Sequence, residues 1–166
     1  TPDGRLPPLT HAVQRGLGMA DLQTYDLRGG CAVAMQALTL AGALIEAGRS
    51  HRVLVTLADT LSRHYLAPLI GREAPTIEEL VNALTFADGA AALVIESAGE
   101  RDGLLLQRVS SRSCFAEAAH GFGVDGQGRT NHNHRAIRAL LPQVVEAALT
   151  DLGVRGDGGA DLLDVL

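Results

Sequence analysis

Leu22-Gln23-Thr24-Tyr25-Asp26-Leu27, broken at Gly29-Gly30 and followed by Cys31 and the small-residue run Ala32 to Ala47, is the stretch that decides the fold. The first six residues read as a strand, the glycine pair as a turn, and the alanine-rich run as a long helix. Cys31 therefore falls at a helix start, where backbone N–H groups lack intrahelical partners and the macrodipole is positive. Both favour thiolate, the form that attacks carbon. The same N–H groups can hold the oxyanion that forms when a thioester is attacked. Val33, Met35, Leu38, Leu40, Leu44 and Ile45, with alanine in most gaps, make the helix apolar nearly all round. Such a helix is expected to be buried beneath other layers.

Downstream, Arg52-Val53-Leu54-Val55-Thr56-Leu57-Ala58 is a continuous apolar run ending in Asp59. It reads as a parallel strand covered on both faces, completing a right-handed βαβ unit with the strand at 22–27. Upstream, Pro7-Pro8 opens a helix that the glycines at 16–18 stop. Residues 63–76 read as irregular, 77–84 as a short helix, and the run from Asp88 to Ile95 as another buried strand. Leu104 to Val109 is strand-like and 111–131 loop-like. A helix is predicted from about His134 to Leu152, with Pro142 either kinking it or marking a later start. Leu162 to Leu166 looks like a strand just starting, and Thr1-Pro2-Asp3-Gly4 like the middle of a loop. Both ends suggest part of a longer polypeptide.

Composition narrows the class. The 166 residues are 46% hydrophobic and 20% charged, as in a folded globular protein, with only 3% aromatics. A net charge of −5 without a basic run argues against a nucleic-acid surface. No apolar stretch approaches a membrane span, because Ala32 to Ala47 is short and contains Gln36 and Glu46. No signal peptide is evident, so a cytoplasmic location is expected. Two cysteines, Cys31 and Cys114, are too few for a disulfide framework or a cysteine zinc site, and Cys114 lacks a glycine turn and a following helix.

Other constellations carry less chemistry. In Asn131-His132-Asn133-His134 the two imidazoles lie two residues apart and share no helical face, so Asn133 reads as a helix cap and no metal is expected. Asp59, Ser62 and His64 are too crowded for triad geometry, and no Gly-x-Ser-x-Gly elbow exists. The glycine-rich stretches at 121–128 and 153–159 lack dinucleotide and phosphate-loop patterns. Asp88-Gly89 reads as a turn whose carboxylate ties down backbone N–H groups.

Four pieces together resemble the thiolase superfamily, in its ketoacyl-synthase III and type III polyketide synthase branch. They are Thr1-Pro2-Asp3 with Leu6-Pro7 and the helix end at Leu17-Gly18; Gly30-Cys31-Ala32; Arg52 to Val55 with Asp59; and Phe86-Ala87-Asp88-Gly89-Ala90-Ala91-Ala92. The resemblance implies a layered α/β fold of βαβ units with a mixed sheet and a buried helix, incomplete in this chain. Residues 1–100 would be the latter part of the N-terminal half and 101–166 the beginning of the C-terminal half. It implies an acyltransferase or condensing enzyme in which Cys31 carries an acyl group to a malonyl thioester. Acyl-CoA or acyl-carrier-protein thioester would be the substrate and partner, with no cofactor, and a homodimer is implied. Phe86, Ala87 and Gly89 would bind substrate, and Leu6 would enter the partner's acyl tunnel. The strand at 22–27 would pair across the dimer axis. A catalytic His and an Asn are implied beyond residue 166.

Ala87 stands where the family has Gly, and 64–84 is a longer connection, closer to the polyketide branch. Both bear on pocket shape. An ester- or amide-forming acyltransferase and a non-catalytic partner subunit remain alternatives. A Cys-dependent hydrolase expects Gly where this chain has Val33.

Overall fold

The computed structural model describes residues 8–99, 103–111, 122–124, 130–132 and 134–153. The chain divides into two compact units, Thr1–Glu100 and Arg101–Leu166.

In the first unit, α1 (Leu9–Gly16) begins behind Pro8 and is closed by Gly18, two residues past its end, which takes φ +65°. There the Gly18 N–H donates to the Arg15 carbonyl and the Met19 N–H to the Gln14 carbonyl, each at 3.1 Å. This left-handed cap satisfies carbonyls that the helix leaves open. A 3₁₀ turn (Gly30–Ala32) leads into α2 (Val33–Glu46), which contacts β1 (Arg52–Asp59) and β2 (Gly89–Glu96). Between the strands lie α3 (Ser62–Tyr65), a 3₁₀ turn (Ala67–Leu69) and α4 (Ile77–Thr85).

β1 and β2 pair antiparallel, from Arg52 opposite Glu96 to Asp59 opposite Gly89. The expected parallel β1 is thereby corrected. A continuous apolar run specifies burial but carries no information on partner direction. Arg52 closes the open end of the ladder, donating from Nε to Glu96 Oε2 at 2.9 Å. Burial is one-sided: Val55 is 6% exposed, whereas Leu54, pointing the other way, is 39% exposed. Along β2 only Ile95 is even half-buried, so the expectation of a second buried strand also fails. α2 is likewise less covered than its composition predicts, with Ala41 its only buried residue. A two-stranded sheet is too narrow to cover an all-round apolar helix. Residues 22–27 form no strand, since among the described residues none offers them a ladder.

α4 begins at the Thr76 cap. The Glu79 N–H donates to Thr76 Oγ1 at 3.2 Å, and the Thr76 N–H donates to Glu79 Oε2 at 2.8 Å. Arg72 adds an ion pair to Glu79. Loss of a cap oxygen of this kind costs about 1 kcal/mol, so Thr76→Ala should lower unfolding free energy by that amount in thermal melts followed by circular dichroism. The helix is turned inside out. Ile77 and Leu84 are 81% and 87% exposed while Asn82 is buried.

In the second unit, β3 (Phe122–Val124) pairs antiparallel with β4 (Thr130–His132), where the sequence reads as loop. Segments of three residues are too short for a periodicity signal. α5 (His134–Leu152) runs through Pro142, forgoing the bond that a residue there would give to the Arg138 carbonyl. Leu104 to Val109, expected as a strand, is irregular and mostly exposed. Side chains tie this segment to the helix end instead. Arg108 Nη1 donates to the Leu152 carbonyl at 2.9 Å, and Ser110 Oγ donates to Asp151 Oδ2 at 3.0 Å. A guanidinium at a helix C-terminus also complements the dipole.

Candidate active site

Cys31 occupies the middle of the 3₁₀ turn that feeds α2. Gly29 is extended and Gly30 sits at φ +57°, in the left-handed region that side chains with a Cβ rarely adopt. A Cβ on Gly30 would meet open space, so glycine is required there for its dihedral and not for room. The turn delivers a free, exposed thiol to the mouth of the following helix, as the sequence predicts.

The thiol lines a cavity of about 390 Å³ formed by α1, residues 19–27, α2 and β1. Val13, Leu22, Ala34, Leu40 and Leu57 supply much of its apolar wall, while Thr24, Asp26 and Asp59 bring polar groups. No histidine lines it among the described residues.

The other expected site residues fall elsewhere. Phe86, Ala87 and Gly89 follow α4 and open β2, and none lines the Cys31 cavity. Phe86 stacks on Tyr65, with ring centroids 4.8 Å apart and planes at 19°. Ala87 is exposed, and Gly89 pairs with Asp59 at the cavity rim. Leu6, Cys114 and Asn133 lie outside the described residues. Tyr65, buried at 7% exposure, had no signal of its own in the sequence.

Asp88 performs the role its turn predicts. Its Oδ1 accepts from the Ser62 N–H at 2.8 Å and its Oδ2 from the Ser62 hydroxyl at 2.7 Å. The Ser62 hydroxyl is therefore committed to Asp88. These bonds, the hydroxyl foremost, hold the Asp88 carboxyl below its ordinary pKa. The Thr76 backbone N–H, aided by the Thr76 hydroxyl and Arg72, does the same for Glu79. A carboxyl with a depressed folded-state pKa binds fewer protons folded than unfolded, so its stabilisation is complete above the unfolded value. It disappears as pH falls through about 4 and below. Melting temperature should therefore drop on acidification through that window, and less steeply in Glu79→Gln.

Among the described residues no group of three His, Cys, Asp or Glu side chains could hold a metal ion, and no helix is long and apolar enough to cross a membrane.

The chain is similar to known proteins in sequence and in fold. The profile of the 3-oxoacyl-[acyl-carrier-protein (ACP)] synthase III family matches residues 25–113, more than half of the chain. The beta-ketoacyl-[acyl-carrier-protein] synthase III of Rhizorhabdus wittichii is 28% identical, covering 99% of this chain and 50% of that protein. That of Jannaschia sp. is 36% identical, covering 94% and 48%. In fold, the crystal structure of beta-ketoacyl-[acyl carrier protein] synthase III from Thermus thermophilus matches with a TM-score of 0.63 at 24% identity. It covers 87% of this chain and 44% of that one. The chain thus spans about half the length of the relatives it matches. With its thiolase-like α/β fold present in part, and its cysteine turn, β1 and β2 inside the matched stretch, the chain belongs to the 3-oxoacyl-[acyl-carrier-protein] synthase III family.

Proposed function

We propose that this chain serves a condensing enzyme of the ketoacyl-synthase III type in which Cys31 carries the acyl group. The observation that carries this reading is an exposed thiol at a glycine turn, opening onto a largely apolar cavity at a helix start. The Cys31 sulfur attacks the carbonyl carbon of an acyl-CoA or acyl-carrier-protein thioester. A new C–S bond forms, the old one breaks, and the departing thiol takes the proton that Cys31 gave up. One thioester replaces another, so the exchange is close to balanced in energy. The helix-start N–H groups stabilise the oxyanion between the two.

The acyl group then passes to the carbanion left when a malonyl thioester loses CO₂. A C–C bond forms and the Cys31 thiolate departs. Carrier protein or CoA as donor, a homodimer, and a cytoplasmic role in fatty-acid or polyketide assembly accompany this reading. The family resemblance supports Phe86, Ala87, Gly89 and Leu6 as substrate-binding residues.

Incubation with acetyl-CoA, or with an acyl-carrier-protein thioester, should add one acyl mass per chain, located at Cys31 by peptide mapping. An adduct confined to other residues, or none with either donor, would overturn the reading.

A further inference from the structure

Phe86, Asp88 and Gly89 converge on one short corner of the first unit. Gly89 pairs with Asp59, the last residue of β1. Asp88 accepts two hydrogen bonds from Ser62, the first residue of α3. Phe86 stacks on Tyr65, the last residue of α3 and one of the few buried side chains described. The corner between β1 and α3 is therefore held from one side by a strand pair, a carboxylate and a ring. On its other side, Ala58 and Asp59 line the Cys31 cavity.

We propose that Asp88 is a positioning residue: it clasps the β1–α3 corner through Ser62 and so sets the width of the Cys31 cavity and the acyl tail the cavity admits. The inference rests on the acyl-carrying role of Cys31. Asp88 itself does not line the cavity. Its two oxygens bind the amide and the hydroxyl of one residue, a bidentate hold that fixes orientation as well as distance. With Asp88 removed, the Gly89 pair and the Phe86 ring remain, so the corner loosens while the sheet persists.

The test compares alkylation of Cys31 by iodoacetamide and by N-octyl iodoacetamide, followed at the Cys31 peptide by mass spectrometry. The short reagent reads the exposed thiol, and the octyl tail reads the cavity. In the native chain the octyl-to-short rate ratio should exceed that of glutathione. Loss of two hydrogen bonds should lower this ratio in Asp88→Ala by at least about threefold, with the iodoacetamide rate nearly unchanged. Ser62→Ala, which keeps the backbone bond, should fall in between, and Ser62→Thr, which keeps the hydroxyl, should restore the native ratio. A simple loss of stability would not spare the short reagent or respond to the returned hydroxyl. Should Asp88→Ala lose its native circular dichroism, Ser62→Ala against Ser62→Thr carries the comparison. Equal ratios in the native chain and in every folded variant would overturn the positioning role alone. A native ratio no higher than that of glutathione would instead overturn the acyl-cavity reading beneath it.

Discussion

Cys31→Ala should abolish acyl uptake from CoA or carrier-protein donors, lowering the rate of covalent loading by at least about a thousandfold, as loss of a nucleophile does in other covalent enzymes. The expectation follows from placement. Gly30, at φ +57°, turns the chain so that the next side chain emerges at the entrance of α2 and over the cavity. No second described cysteine stands in reserve. Cys31→Ser keeps the shape and a hydroxyl, yet a serine hydroxyl is a weak nucleophile without an adjacent base. It should therefore load no faster than alanine within detection. Intact-mass spectra over a time course, with hydroxylamine release to identify a thioester, make the measurement. Loading of Cys31→Ala at the native rate would place the acyl group elsewhere and exclude the mechanism.

Val55→Asp should remove much of the stability of the first unit, by about 3–5 kcal/mol, because it leaves a carboxylate buried without a partner. Val55 sits mid-ladder opposite Leu93 and is 6% exposed, on the covered side of β1. Ordinary domains are stable by roughly 5–15 kcal/mol in all, so this single change approaches the whole margin. Leu54→Asp is the control. Its neighbour position points to the open side, 39% exposed, and there the loss should stay near the ~1 kcal/mol of strand propensity. Urea unfolding followed by circular dichroism at 222 nm separates the two. Equal losses at 54 and 55 would contradict one-sided burial of the sheet.

Much of this fold was legible because local chemistry punctuates it. Pro8 and Gly18 bracket α1, the Thr76–Glu79 pair starts α4, and the glycines before Cys31 open the turn. Strand partnership was not legible. Arg52 to Ala58 announces burial, but its partner lies more than thirty residues away and runs the other way, a fact that no local pattern encodes. Leu22 to Leu27 has strand composition, yet a strand exists only through a neighbour's hydrogen bonds. Of the candidate site, Cys31 stood out because a thiol beside a glycine turn is chemically conspicuous. The aromatic ring of Phe86 was equally visible. That it would stack on Tyr65 depends on how the β1–α3 corner folds back, which residue type alone does not determine.

The reversed face of α4 has a practical outcome. Ile77, Leu80, Val81 and Leu84 recur at helical spacing and all lie open to water. Dyes such as ANS fluoresce on contact with accessible apolar surface, which is why they report loosened states in most proteins. Here the native chain should already be bright, so a dye-based melt would begin from a high baseline and misread folded protein as molten.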